Sequence, residues 1–182
     1  MKVDEMASQA VVSPPPRSTS ELIASFVRST ADVLATMANI RVTIGKPTLK
    51  SGPVVPHEIS GIIGFSGNFK GSMVLSFPKH TAEIVVAAFA GMPLKEGSPD
   101  FADAIGELAN MVAGAAKSAF GPGTTISVPS VVMGAGHVVA PLHGVPCVII
   151  PCHTPSGDFA VEVNIKAPGP TAAVSVTKGH VQ

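Results

Sequence analysis

The chain contains no tryptophan and no tyrosine, and its eight aromatic residues are all phenylalanine. Aromatic platforms on which nucleic-acid bases stack are therefore not advertised. An excess of charge of either sign is also missing, since twelve Lys and Arg balance twelve Asp and Glu. A neutral chain makes no electrostatic case for DNA, RNA or an anionic membrane surface, so any partner must be recognised by local shape and local charge. No apolar run approaches the roughly eighteen residues of a membrane helix, and the first residues carry early acidic groups without a signal-like apolar stretch. The expectation is a soluble, cytoplasmic protein that binds neither nucleic acid nor membrane.

Cysteine is scarce as well. Cys147 and Cys152 stand five positions apart in one expected strand. They would point to opposite faces, too far apart to bond each other, which suits buried free thiols in a reducing compartment. The six histidines form no HxxxH pair and do not stand at zinc spacing from the cysteines, and no serine sits in a GxSxG elbow. The glycine clusters at 121–123 and 134–136 lack the strand-to-helix context of a phosphate-binding loop. Neither a covalent nucleophile, nor a metal centre, nor a nucleotide site is supported.

What the chain does have is apolar patterning. Hydrophobic residues make up 46% of its 182 residues, enough for one domain with a sizeable core. Residues 1–17, with three consecutive prolines, read as a flexible tail, and residues 168–182 as a second tail, leaving a domain over 18–167. Ser18 and Glu21 match a capping box that opens a helix to about Ala38, with Leu22, Ile23, Phe26, Val27, Leu34 and Met37 as its apolar face. A strand is expected over 40–49, and a hairpin over 57–77 that turns at Ser66, Gly67 and Asn68. A short helix over 81–90 closes at Gly91. After the glycines at 121–123 come a strand over 124–133, a weaker extended segment over 138–146, and a second hairpin over 145–165. This order predicts an α+β fold in which two long helices and a short one cover one face of a mainly antiparallel sheet.

The most informative stretch is a helix over 98–120. Ser98 is its expected N-cap and Pro99 suits the first helical position. Asp103, Glu107, Asn110, Gly114 and Lys117 recur at helical spacing and form a polar stripe. Phe101, Ile105, Leu108, Val112, Ala115 and Ala119 form the opposite, core face. Gly106 and Gly114 are unusual, because each interior glycine costs about 1 kcal/mol of helix stability against alanine. Small residues there let another surface come close.

Several stretches together resemble the CheX-like branch of the CheC/CheX/FliY chemotaxis phosphatases. They are GIIGFSGNFKGSMVLSFP at 61–78, AFAGMP at 88–93, DAIGELANMVAGAAKSAF at 103–120, ISVPSVVMGAGH at 126–137 and VIIPCHTPSGDFAVEV at 148–163. They follow family order over most of residues 20–167. The family motif of an acidic or serine residue, then Glu, two residues and Asn, with a downstream Pro, falls on Asp103, Glu107, Asn110 and Pro129. The first helix does not repeat the Glu and Asn spacing, so the resemblance is to the one-site CheX type, whose members act as homodimers.

The resemblance implies a CheC-like fold and hydrolysis of the phosphoaspartate of a CheY-like response regulator. Asn110 would orient the attacking water and Glu107 would anchor the partner through the lysine beside its phosphorylation site. Gly106 and Gly114 would be auxiliary partner contacts that let the helix approach the regulator's pocket, and Asp103 would be either a further such contact or only an exposed first-turn charge. Pro129 more plainly shapes the strand after the helix. The protein would need no cofactor of its own, because Mg²⁺ would be held by the regulator. The competing expectation is a non-catalytic module of the same fold that docks on a response regulator or a flagellar switch component.

Overall fold

The computed structural model describes residues 18–167; the two tails expected at 1–17 and 168–182 lie outside the described residues. The elements, in chain order, are α1 (Thr19–Ala38), β1 (Thr43–Ile44), β2 (Thr48–Leu49), β3 (Ile59–Gly67), β4 (Lys70–Phe77), α2 (Lys79–Ala90), α3 (Pro99–Lys117) ending in a 3₁₀ turn (Ser118–Phe120), β5 (Thr124–Ile126), β6 (Ser130–Met133), β7 (Val148–Thr154) and β8 (Gly157–Lys166). The strands form one antiparallel sheet in the order β1-β7-β8-β4-β3-β5, with β2 also on β7 and β6 also on β3. The fold is α+β.

Alternation along the strands decides what each face meets. Ile59, Gly61, Ile63 and Phe65 of β3 lie opposite Phe77, Leu75, Met73 and Gly71 of β4. The apolar members of this set join Phe26 and Leu34 of α1, Val85 and Val86 of α2, and Phe101, Ile105, Leu108 and Val112 of α3 in one core. Phe65, Phe69 and Phe26 gather around Phe120 with ring centroids 4.7–5.8 Å apart. At Gly61 α3 comes close to the sheet: a Cβ there would stand 2.7 Å from Ala109 Cβ and 3.0 Å from the Ile105 carbonyl oxygen. Only glycine leaves room for that approach.

The face turned away from the helices is also buried, although no helix covers it. Ser60, Ser76, Glu162 and Asn164 are all nearly inaccessible there. Two irregular segments, around residues 50–58 and 134–147, roof them and pair with each other where Val54 bridges Val138. Three of these polar groups tie the roof down, while Ser76 Oγ donates to the Ala160 carbonyl within the sheet. Lys50 Nζ lies 2.6 Å from Glu162 Oε2. The Asn164 amide accepts from Leu142 N and donates to the Val145 carbonyl at 2.7 Å. His137 Nδ1 donates to the Gly134 carbonyl at 2.8 Å, which leaves Nε2 to accept from Ser60 Oγ at 2.9 Å. The expected extended segment at 138–146 is therefore mostly this roof.

Other differences from the sequence expectations are local. The strand expected over 40–49 is two short pieces: Gly45 N still reaches the Pro151 carbonyl at 2.7 Å in the register of β1, but β2, beyond Pro47, pairs with β7 in a register shifted by one residue. The strand expected over 124–133 is likewise divided into β5 and β6. Cys147 precedes β7 and is half-buried, while Cys152 is buried within it with its thiol pushed up to about 12 by burial. Met37 is 43% exposed despite its place in the apolar pattern of α1. On α3, Ala109, Ala113 and Ala116 join Phe101, Ile105, Leu108 and Val112 on the buried side, whereas Ala115 is exposed and Ala119 is half-buried. β7 offers no open edge, because it sits between β8 and the short strands β1 and β2.

Candidate functional site

The polar stripe on α3 starts from a well-capped helix. Ser98 Oγ accepts from Phe101 N at 3.2 Å, Pro99 stands in the first turn and Asp100 complements the positive end of the dipole. With the opposite side locked into the core by Phe101, Ile105, Leu108 and Val112, rotation about the helix axis is not free. Asp103 and Glu107 are consequently held in solvent one turn apart, and Asn110 is half-exposed on the same side. Asn110 Nδ2 lies 3.5 Å from Glu107 Oε2, a long contact that leaves both groups available to other partners.

The β5–β6 segment forms the wall beside this stripe. Phe65 pairs with Ile126 and Ile62 with Ser130, so three residues, Ser127, Val128 and Pro129, stand opposite two on β3. That is a β-bulge, and Pro129 suits it because it has no N–H for the ladder. Ser127 holds the bulge closed. Its N–H donates to the Gly64 carbonyl at 2.9 Å, while its Oγ accepts from Gly64 N at 2.9 Å and donates to the Val128 carbonyl at 2.7 Å.

Pro129 packs on Gly106, where a Cβ would stand 3.2 Å from Pro129 Cγ. Gly106 is buried by this contact, so its missing side chain makes space for the protein's own strand. That differs from the expectation that it clears the way for a partner. Gly114 is half-exposed, with only Ile126 Cδ1 near its open side, at 4.0 Å. Between Pro129 and the helix runs a groove of about 460 Å³ lined by Ala102, Asp103, Gly106, Glu107, Pro129 and Val131.

The structure thus brings together Asp103, Glu107, Asn110 and Pro129, which are 26 residues apart at their extremes in sequence. Val131 and the Ser127 clamp escaped sequence reading; Pro129 inside an apolar run was the available sign of a bulge. Among the described residues no three His, Cys, Asp or Glu side chains gather as a metal site. The histidines among the described residues lie elsewhere: His57 is held below its usual value by burial, opposed by Glu58 and Asp158, and His153 contacts Asp158 at 2.9 Å on the far hairpin.

The sequence model of the family described as chemotaxis phosphatase CheX matches residues 59–153, just over half of the chain. This chain belongs to the CheX family. It is 36% identical over 99 residues to the protein named CheY-P phosphatase CheX of Thermotoga maritima; the match spans 54% of this chain and 61% of that one. The crystal structure of a CheX chemotaxis protein from Desulfovibrio desulfuricans superposes with a TM-score of 0.73 at 34% identity, covering 81% of this chain and 99% of the other. The CheX–CheY–BeF3–Mg²⁺ complex from Borrelia burgdorferi shares the fold, with a TM-score of 0.69 at 22% identity over 80% of this chain and 97% of that one. The family match includes α3 and the β5–β6 wall, so the candidate site lies inside the shared region.

Proposed function

We propose that this protein is a phosphatase of a phosphorylated CheY-like response regulator, acting in chemotaxis signalling. The observation that carries the reading is the pair Glu107 and Asn110, held outward on a helix whose other side is locked in the core, within the region matched to CheX. Hydrolysis of an acyl phosphate requires water in line with phosphorus and neutralised charge on the phosphoryl oxygens, with little covalent work for the helper. Asn110 is suited to the first task. Its amide carbonyl accepts a hydrogen bond from water, and as a neutral group it approaches the phosphoryl oxygens without adding negative charge.

Glu107 is an anchor in this reading. Its carboxylate pairs with the regulator's lysine through a charge-assisted hydrogen bond, placing α3 against the phosphorylated aspartate. Asp103 and Gly114 extend the same docking edge, and the groove beside Pro129 accepts partner surface. Mg²⁺ held in the regulator's own acidic pocket supplies charge neutralisation at the phosphoryl group. The complex of the Borrelia relative, which contains CheY, BeF3 and Mg²⁺, supports that division. The reaction takes place in the cytoplasm, where response regulators act.

The test is phosphate release from the phosphorylated regulator. Glu107→Ala is expected to weaken complex formation about 10- to 100-fold, the scale of a lost charge-assisted hydrogen bond, which direct binding measures. A wild-type protein that binds the regulator and releases no phosphate would be a docking module and not an enzyme.

A homodimer is a second part of the proposal. Its support is Leu49 on β2, the short strand outside β7, which is 72% exposed. Beside it lies an apolar groove of about 510 Å³ lined by Ile23, Ala24, Val27, Pro47 and Val148. Sedimentation at micromolar concentration should show a dimer that Leu49→Glu converts to monomer; a wild type that sediments as monomer removes the claim.

A further inference from the structure

The bulge does more than turn a strand. Ile126 lies beside Gly114 and Pro129 lies on Gly106, so the segment between them runs antiparallel to α3 across the turns that carry Glu107 and Asn110. Val128 stands in the middle of that run. It is 84% exposed, the highest value among the large apolar side chains of the described residues. A single exposed valine is ordinary on a protein surface. Here, however, the backbone that carries it is fixed on both sides. Ser127 clamps its carbonyl and the adjoining Gly64 peptide, Pro129 holds the following φ, and a β-branched side chain has few rotamers to lose. An apolar knob already immobilised beside an acidic stripe gives up little conformational freedom when a partner covers it.

We propose that Val128 is a specificity-determining contact of the docking surface. It packs on an apolar patch that the response regulator presents next to the lysine engaged by Glu107. This rests on the regulator being the partner, and adds the requirement that basic and apolar features lie side by side on its phosphorylation face. Asn110 acts on the water. Val128 acts only on how well, and on which, regulator is held.

The experiment compares wild type, Val128→Asp and Val128→Ile in phosphate release and in binding to the beryllofluoride-activated regulator. For Val128→Asp the KM and the Kd should both rise about tenfold or more, the scale of an apolar side chain no longer buried. Its kcat and thermal unfolding should match wild type, and Val128→Ile should stay within about twofold of wild type on every readout. Equal Kd and KM for wild type and Val128→Asp would overturn the inference and leave the phosphatase reading standing. Binding without hydrolysis by wild type would overturn the phosphatase reading, while the Kd comparison still decides the role of Val128. A wild type that neither binds nor hydrolyses any phosphorylated regulator overturns both.

Discussion

Replacing Asn110 with alanine is expected to reduce phosphate release from the phosphorylated regulator about 100-fold, the scale on which loss of reactant positioning is felt. Binding to the beryllofluoride-activated regulator should stay within a few-fold of wild type. The two readouts separate because the amide acts on water in the transition state, whereas docking rests on Glu107 and the neighbouring surface. Asn110 is half-exposed and its long contact to Glu107 supports little of the fold, so thermal unfolding should not change. Asn110→Asp should be no better than alanine, because a carboxylate beside the phosphoryl oxygens adds repulsion where the amide adds none. Full activity in Asn110→Ala would end the catalytic reading.

The largest stability effect is expected far from the site, at the roof over the second face. Lys50 and Glu162 are 8% and 3% exposed and lie 2.6 Å apart, and Glu162 Oε1 has no hydrogen-bond partner. Burial pushes the Glu162 carboxyl above its ordinary value, while Lys50 and, at longer range, His137 pull it back. Lys50→Ala removes the main opposing influence and leaves an unpaired buried carboxylate. The expected cost is about 3–5 kcal/mol in urea denaturation near pH 8. The sign of the pH dependence follows from the raised value. The folded state holds the Glu162 proton more tightly than the unfolded chain, so its contribution is fully present below the ordinary carboxyl value of 4.5 and is lost as pH rises through the folded value. Lys50→Ala should therefore be destabilised less at pH 5 than at pH 8. The double change Lys50→Met with Glu162→Leu should recover most of the loss, because it removes both charges and leaves neither stranded. A single Lys50→Ala variant as stable as wild type at pH 8 would show that the pair carries no weight.

Both predictions involve residues that differ in how far the chain announces them. Asn110 and Glu107 were legible because a helix declares its faces: caps at Ser18 and Ser98, periodic apolar residues, and prolines and glycines at the ends are local signals. The hairpins at β3–β4 and β7–β8 were legible for the same reason, since their turns and alternation lie within about twenty residues. Lys50 and Glu162 were not. They are 112 positions apart, and nothing near either residue says that a loop will fold over the sheet face that Glu162 occupies. A charged residue alternating with apolar ones reads as solvent-facing, and here it is not.

The polar stripe and its spacing were settled by the amino-acid order alone, because they depend on contacts within a few helical turns, and the resemblance from which Glu107 and Asn110 take their proposed roles is likewise a property of the sequence. Tertiary structure decided what stands beside the stripe. Gly106, which the sequence offered as clearance for a partner, is filled by Pro129, and the run from Ile126 to Met133 breaks into a bulge that leaves Val128 in solvent. The reason is geometric: whether a small residue faces a partner or its own strand depends on packing between segments more than twenty residues apart, and local propensity carries no record of that distance.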